Sequence, residues 1–282
     1  MGKKVSSITP CYKGGTYLAG FLGNVSSQTM LDDIEIVLDH NAPEDWEIEI
    51  VQKFQKEYPG VVKHIVKEHV DNIGRSMNDC WNAASGDYVA IWNIDDLRVP
   101  KSLEMQATFL DQNPDYGVVH GNFVIVNTFG SGTGRLIDHS QYCTPHSELT
   151  RGMVTGPFLM WRKNLKEVCG MFDEQLVSGA DFDLSVRLCA AMKVKGINEV
   201  LGAYLDEGKG ASTRPDTKQP LERTVIELRY GIYDKIDSRF LEEAKEKYDV
   251  QNLSWYDQKV DVSSTISDFL DFMSKNGTAS RC

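Results

Sequence analysis

Several features that are common in other protein classes are missing from this sequence of 282 residues. No apolar run approaches the roughly 20 residues of a membrane-spanning helix, so we expect no transmembrane segment. Positive charge is scarce, because 30 lysines and arginines face 41 aspartates and glutamates and the formal net charge is −11. This acidity argues against nucleic acid or an anionic membrane as the main partner, although a local basic pocket could still bind phosphate.

Cysteine pairs and glycine-rich nucleotide loops are also missing. The six cysteines, at positions 11, 80, 143, 169, 189 and 282, form no CxxC pair and have no regular spacing. Zinc and a disulfide framework are therefore not expected, and reduced thiols indicate a location in the cytoplasm, either free or peripheral to a membrane. The chain has no GxGxxG and no Walker-type lysine motif, which argues against a Rossmann dehydrogenase or a P-loop kinase.

Strand-like and helix-like segments alternate through the first half of the chain. The predicted strands are 5–9, 34–39, 61–68 and 88–92, and the predicted helices are 16–29, 44–58, 74–84 and 101–112. An alternating order of this kind implies an α/β fold with a mostly parallel, doubly wound central sheet flanked by helices.

The pattern changes in the second half. Residues 118–127, 153–161 and 201–205 are predicted as strands, 181–192 as a helix, and 129–150 as a loop or mobile flap. From about Pro215 the sequence becomes strongly charged and helix-like, in segments 221–236, 240–248 and 262–273. We interpret these segments as a C-terminal helical appendage.

The most informative residues are two adjacent acids, Asp95 and Asp96, which follow the apolar strand 88–92. Carboxylates at the carboxyl end of a central strand lie where open α/β sheets bind ligands. Two neighbouring acids repel each other unless a cation lies between them, and a divalent metal that carries a phosphorylated ligand would satisfy both. The alternative is a solvated turn, in which aspartate is common.

Other candidate site residues follow the remaining strands. Pro10 and Tyr12 come after the first strand, where a loop would touch a nucleotide or form an ordinary turn. Asp39 ends the second strand and is either an acceptor for a base or ribose or a cap. Asp181 begins a helix, as a cap or as a general base, while Asp183 would point elsewhere on that helix.

Taken together, these pieces resemble the family 2 glycosyltransferases, which have the GT-A nucleotide-sugar fold. The resemblance covers roughly residues 4–212, and it rests on the order and spacing of segments 5–12, 34–39, 72–74, 84–88, 93–96, 170–174 and 180–184. It implies a GT-A domain over residues 1–212, with a nucleotide-binding half at 1–98 and an acceptor half at 99–212. The appendage then occupies 213–282.

The resemblance assigns Pro10, Tyr12 and Asp39 to the nucleoside pocket, with Asp39 near the base. Family members often carry Arg-Asn after the Asn-x-Gly, where this chain has Asp79-Cys80. Arg75 is the candidate replacement as a basic contact to the diphosphate.

The resemblance also assigns the metal and the base. Asp95 and Asp96 match the family's metal and ribose carboxylates, so the implied cofactor is Mn²⁺ or Mg²⁺. We expect Asp96 to be the direct metal ligand and Asp95 to serve the ribose or the metal's outer shell. Asp181 matches the catalytic base of inverting members, which would take the proton from an acceptor hydroxyl.

Three departures from the family pattern concern this site. Asn93 stands where an aspartate usually begins the acidic motif, and Ala180 stands where a glutamate commonly precedes the base. Segment 206–210 lacks the His or Arg often found near the metal, which leaves the third ligand unassigned. The Gln-x-x-Arg-Trp of processive members is absent as well, so a soluble, non-processive enzyme fits better.

The leading hypothesis is an inverting, metal-dependent glycosyltransferase of polysaccharide biosynthesis. It would transfer one sugar from a nucleotide-sugar donor, most often a UDP-sugar in this family, to a glycan, lipid-linked or protein acceptor. The alternatives are a sugar nucleotidyltransferase and a catalytically inactive nucleotide-sugar-binding protein of the same fold. The C-terminal helices are a candidate surface for a homodimer, with plain packing or contact with a membrane as the alternatives.

Overall fold

The computed structural model describes residues 2–142, 152–208, 210, 214–231 and 236–262. The helices are α1 (Gly15–Ser26), α2 (Asp45–Glu57), α3 (Ile73–Ala83), α4 (Ser102–Gln112), α5 (Lys166–Cys169), α6 (Ala180–Ala191), α7 (Gln219–Arg229) and α8 (Leu241–Lys247). The strands are β1 (Val5–Tyr12), β2 (Ile34–Asn41), β3 (Val62–Lys67), β4 (Tyr88–Ile91), β5 (Leu97–Arg98), β6 (Tyr116–Val126), β7 (Arg135–Ile137), β8 (Met160–Arg162), β9 (Lys193–Leu205), β10 (Asn252–Trp255) and β11 (Gln258–Asp261).

One large sheet organises the molecule, in the order β3-β2-β1-β4-β8-β6-β9-β5, with β7 beside β6. Strands β1 to β4 pair only in parallel with one another, as the sequence predicts. The second half is mixed, because β8 enters between β4 and β6 in the opposite direction to both. The α/β class with flanking helices is therefore confirmed, and the sheet is mixed as a whole.

Both faces of the parallel half are covered, which explains its continuous apolar strands. Along β2, Ile36 and Leu38 pack into one core cluster with residues of α1, α2 and α4. Val37 points to the opposite face and packs into a second cluster with residues of α3, α6 and α7. Successive side chains of a strand point to opposite faces of the sheet, so each strand contributes to both core clusters.

Several elements differ from the sequence prediction. Strand β9 begins at Lys193, eight residues early, because lysines and a register shift opposite Gly121–Phe123 obscure its alternation. Most of the predicted strand 153–161 is irregular, and Gly156 has a positive φ. Strands β5 and β7 and the β10–β11 hairpin were not predicted. Parts of 129–150 and 221–236, and nearly all of 262–273, lie outside the described residues.

The C-terminal segment packs into the main core. Leu221, Val225 and Ile226 of α7 are buried in the cluster that also holds Trp81 and Leu184. This packing covers the apolar face of α7 within one chain, and a homodimer through the C-terminal helices stays a prediction. Among the described residues, no helix is both long and apolar enough to cross a membrane.

A buried ion network ties α6, α7 and the loop after α5 together. Arg229 of α7 donates to Asp183 of α6 at 2.7 Å and to Asp173 at 2.8 Å, and none of the three side chains is exposed to solvent. Arg187 pairs with the other oxygen of Asp183 at 2.7 Å. Burial alone would raise the pKa of Asp183, but the two guanidinium groups hold it below its usual value.

We predict that Arg229→Met destabilises the fold by about 3–5 kcal/mol, because a buried carboxylate that loses its partner keeps its desolvation cost. Urea unfolding followed by circular dichroism measures the change. Arg239→Met is the matched control, since Arg239 pairs with Asp237 at the surface and its loss should leave the midpoint unchanged. Equal midpoints for the Arg229 variant and the wild type would contradict the prediction.

Candidate functional site

The predicted nucleotide residues meet at the carboxyl ends of β1, β2 and β4, which we call the nucleotide edge. Strand β1 lies between β2 and β4, so the polar residues after all three strands share one side of the sheet. Pro10 is directly opposite Asp39 in the β1–β2 ladder, and Tyr12 is half exposed beside them. Asp95 and Asp96 follow β4 on the other side of β1.

Asp39 belongs to an acidic cluster that is centred on a lysine. The Nζ atom of Lys67, at the end of β3, lies 2.8 Å from Asp39, 2.6 Å from Asp71 and 2.5 Å from Asp79. The three carboxylates are close enough together to surround a metal ion. The ammonium group already occupies that position, and although burial opposes it, the three hydrogen bonds raise the pKa of Lys67. This cluster therefore carries its own cation.

Asp96 is directed into the protein. Its side chain is 1% exposed, its Oδ1 accepts the N–H of Leu205 at 3.1 Å, and its Oδ2 accepts the amide of Asn93 at 3.3 Å. Burial and the neighbouring charge of Asp95 raise the pKa of Asp96 well above its usual value. Asn93 therefore supplies a donor that an aspartate could not, which gives this departure from the family pattern a structural reason.

Asp95 is the more accessible of the two acids. Burial raises its pKa, and so does the charge of Glu207, which lies in the segment after β9. The hydroxyl of Tyr17 donates to Glu207 at 3.1 Å, so α1 holds this second carboxylate near the first. Asp95 is thus the acid of the pair that is partly open to solvent, and Glu207 acts on it electrostatically. Glu207 lies in the segment that the sequence left without a ligand.

Arg75 participates in the contact between α3 and the β10–β11 hairpin. Its guanidinium lies 4.1 Å from the ring centroid of Tyr256, 3.5 Å from Glu174 and 3.7 Å from Asp79. The hydroxyl of Tyr256 in turn donates to Asp79 at 2.7 Å. A role for Arg75 in binding the diphosphate stays a prediction, and it would require this cation to be shared with two carboxylates.

Asp181 lies in the first turn of α6, where its Oδ1 accepts the N–H of Phe182 at 2.8 Å. Burial, together with the charge of Glu222, raises the pKa of Asp181 to about 6. A carboxylate with such a pKa can act as a general base near neutral pH. Asp183 points into the core instead. In the described part of the chain, no hydrogen bond or ion pair joins Asp181 to Asp39 or Asp95.

Comparison with known proteins identifies the family of the chain. A family model described as "Glycosyl transferase family 2" matches residues 6–168. The chain is 30% identical over 136 residues to "Putative glycosyltransferase EpsE" of Bacillus subtilis (strain 168), which is 48% of this chain and 49% of that protein. It is 21% identical over 270 residues to the hyaluronan synthase of Pasteurella multocida, covering 93% of this chain and 27% of the synthase. The chain thus spans half or less of these relatives.

Solved structures share the fold. S. aureus TarS 1-349 in complex with UDP-GlcNAc superposes with a TM-score of 0.66 and 19% identity, covering 86% of this chain and 72% of that one. The mannosyltransferase PcManGT from Pyrobaculum calidifontis, in complex with GDP-Man and Mn²⁺, gives a TM-score of 0.59 at 14% identity, covering 99% and 76%. These similarities confirm the GT-A, Rossmann-like fold expected from the sequence.

We predict that Lys67→Gln lowers the free energy of unfolding by about 3 kcal/mol at pH 8, because three carboxylates lose their shared cation. The deficit should shrink toward pH 5. Without the lysine, the folded-state pKa of the carboxylates rises above the unfolded value, so protonation favours the folded variant as the pH falls. Chemical unfolding at both pH values tests this, with Lys63→Gln as the control, since Lys63 is exposed on the same strand. A deficit that grows on acidification would refute the assignment.

Proposed function

Because the chain belongs to glycosyl transferase family 2, we propose that it is an inverting, metal-dependent glycosyltransferase. The donor is a nucleoside diphosphate sugar, in first place a UDP-sugar, and the acceptor is a hydroxyl of a glycan, lipid-linked or protein substrate. The observation that carries the proposal is the acidic pair Asp95–Asp96 at the nucleotide edge. Both carboxyl groups have a raised pKa, and no described lysine or arginine lies within ion-pair distance of either, although the charge of the buried Arg98 partly offsets the effect on Asp96.

The nucleoside binds beside β1 and β2. Lys67 engages one oxygen of Asp39, while Oδ1 is buried and lacks a hydrogen-bond partner in the described structure. A buried acceptor of this kind suits a ring N–H such as that of uracil. Pro10 and Tyr12 lie alongside as apolar and aromatic surface for the base and ribose. The binding of UDP-GlcNAc by the structurally similar TarS supports a UDP-sugar donor.

Asp95 and Glu207 are the residues that would hold a divalent metal, Mn²⁺ or Mg²⁺. Hard oxygen ligands together with substrate phosphates are the usual environment of these ions, and the mutual repulsion of the two carboxylates fits such a ligand set. When bound, the metal would supply positive charge for the departing diphosphate. Asp96 would position the metal ligands without contacting the metal. It accepts a hydrogen bond from the N–H of Leu205 and so fixes the end of β9, which leads to Glu207.

Asp181 serves as the general base. As the acceptor oxygen forms its bond to the anomeric carbon, the carboxylate takes the hydroxyl proton and the bond from that carbon to the diphosphate oxygen breaks. Attack from the side opposite the leaving group inverts the anomeric centre. The raised pKa makes Asp181 a stronger base than an ordinary aspartate while leaving it ionised at neutral pH.

Replacing the base should remove the reaction and leave donor binding intact. We expect Asp181→Asn to lower kcat by roughly 10²–10⁴-fold, the usual contribution of a general base, with an unchanged Kd for UDP. For the wild type, Asp181 becomes protonated below its pKa of about 6, so kcat/KM should fall about tenfold for each further unit of pH. A donor screen with and without Mn²⁺ provides the assay. Near-wild-type turnover by the variant would reject Asp181 as the base.

Two isosteric variants separate the roles of the paired acids. The measured quantity is the Mn²⁺ concentration that gives half-maximal thermal stabilisation with UDP present. Asp95→Asn should raise this concentration by more than roughly tenfold, which is the effect typical of losing an outer-shell partner. Asp96→Asn should change that concentration less, because its amide oxygen can still accept the N–H of Leu205. The opposite ranking would restore Asp96 as the direct ligand.

A further inference from the structure

A buried carboxylate of α7 lies at the start of α6 and makes no ion pair with any described residue. Glu222 is 0% exposed, and its oxygens accept three successive backbone N–H groups. The N–H of Val177 lies 2.9 Å from Oε1, that of Ser178 lies 2.6 Å from Oε2, and that of Gly179 lies 2.8 Å from Oε2. Three consecutive peptide dipoles thus solvate a full negative charge, as in an anion-binding nest.

These contacts hold the residues that lead into α6. Gly179 is the N-cap residue of α6 and provides no side-chain hydrogen bond. The positive end of a helix dipole favours a nearby anion, and here the anion comes from another helix, 43 residues further along the chain from Gly179. Asp181 follows Gly179 by two residues, so the bonds to Glu222 determine where its backbone begins the helix.

We propose that Glu222 is the positioning residue for the base Asp181, and that the C-terminal segment is thereby part of the catalytic machinery. This inference rests on the proposed function for its catalytic meaning. The contact itself is a property of the fold: one carboxylate fixes the residues that lead into α6 and places a like charge close to Asp181.

The charges around Asp181 allow this effect to be isolated. From α7, Glu222 acts on Asp181 directly, while Arg223 lies over the ring of Phe182 at 5.7 Å and is paired with Glu227 at 2.7 Å. On α6 itself, Asp183 is neutralised by its buried arginine partners. After burial, Glu222 is therefore the group that raises the pKa of Asp181.

The test measures Asp181 itself, in the full-length protein. The carboxyl carbon of Asp181 is titrated by NMR in the wild type, in Glu222→Gln and in Glu242→Gln. We expect Glu222→Gln to lower the pKa of Asp181 by about half a unit or more, since a like charge is removed, and to accelerate amide hydrogen exchange at residues 177–179. Glu242→Gln removes an exposed charge of α8 and, as the control, should change neither. An unchanged Asp181 pKa and unchanged exchange in folded Glu222→Gln would overturn the proposal.

A shorter acid separates position from charge and provides a second variant if glutamine prevents folding. Glu222→Asp keeps the negative charge but retracts it by one methylene, so exchange at residues 177–179 should accelerate while the pKa of Asp181 stays raised. Equal protection in Glu222→Asp and the wild type would contradict the positioning role. With UDP-GlcNAc and Mn²⁺ as the assay, both variants should lose kcat with little change in donor KM. Full activity of Asp181→Asn would instead reject the base assignment alone and leave the NMR result standing.

Discussion

The buried pairing of Arg229 with Asp183 and Asp173 is the interaction on which the second half of the molecule depends. It joins α7 to α6 and to the loop after α5, and all its charged groups are withdrawn from water. Such a network adds little net stability compared with an apolar core, but its loss is costly because the remaining charges stay buried. We infer that the network favours this one docking of α7, because another docking would leave the buried charges unpaired. Glu222 lies on the same helix, two turns before Arg229. When α7 packs so that Arg229 reaches its two aspartates, Glu222 therefore lies at the start of α6.

Negative charge is managed in two different ways along the nucleotide edge. Around Asp39 the chain supplies its own cation, because Lys67 reaches three carboxylates and fixes the acceptor that would meet the base. Around Asp95 and Asp96, no described lysine or arginine forms an ion pair with either acid, and Asp96 turns inward to accept the N–H of Leu205. The lysine-centred cluster is therefore paired without any ligand. Under the proposed function, a cation that arrives with the diphosphate would relieve the repulsion between Asp95 and its acidic neighbours, because Mg²⁺ is commonly held by one or two carboxylates and substrate phosphates.

The sequence predicts the parallel half of the fold well, because its strands are apolar on both faces and its helices are amphipathic over three turns or more. The sequence also identifies Asp39, Asp95 and Asp181 as candidate site residues. Asp39 and Asp95 come at or after the end of a predicted strand, and Asp181 begins a predicted helix. Lys67, Glu207 and Glu222 were missed for a common reason: each acts on a partner 28 or more residues away in the chain. Strand β9 and the β10–β11 hairpin were missed because charged residues and a bulge hide their alternation. The periodicity of apolar residues indicates which face of a helix or strand is buried. It does not indicate which charged residues from distant parts of the sequence come into contact.

The contacts of the C-terminal segment bear on where the functional unit ends. The change of sequence pattern near residue 213 suggests a boundary there, and the family match ends earlier still, at residue 168. Yet a chain cut after residue 212 would leave Asp183 with Arg187 alone, Asp173 without its guanidinium, and the N–H groups of residues 177–179 without their acceptor. Tyr256, farther along, donates to Asp79 and so touches the lysine-centred cluster from the other side. One segment thus contacts the surroundings of both the proposed base and the nucleoside pocket, and the smallest unit that keeps these groups paired includes the hairpin.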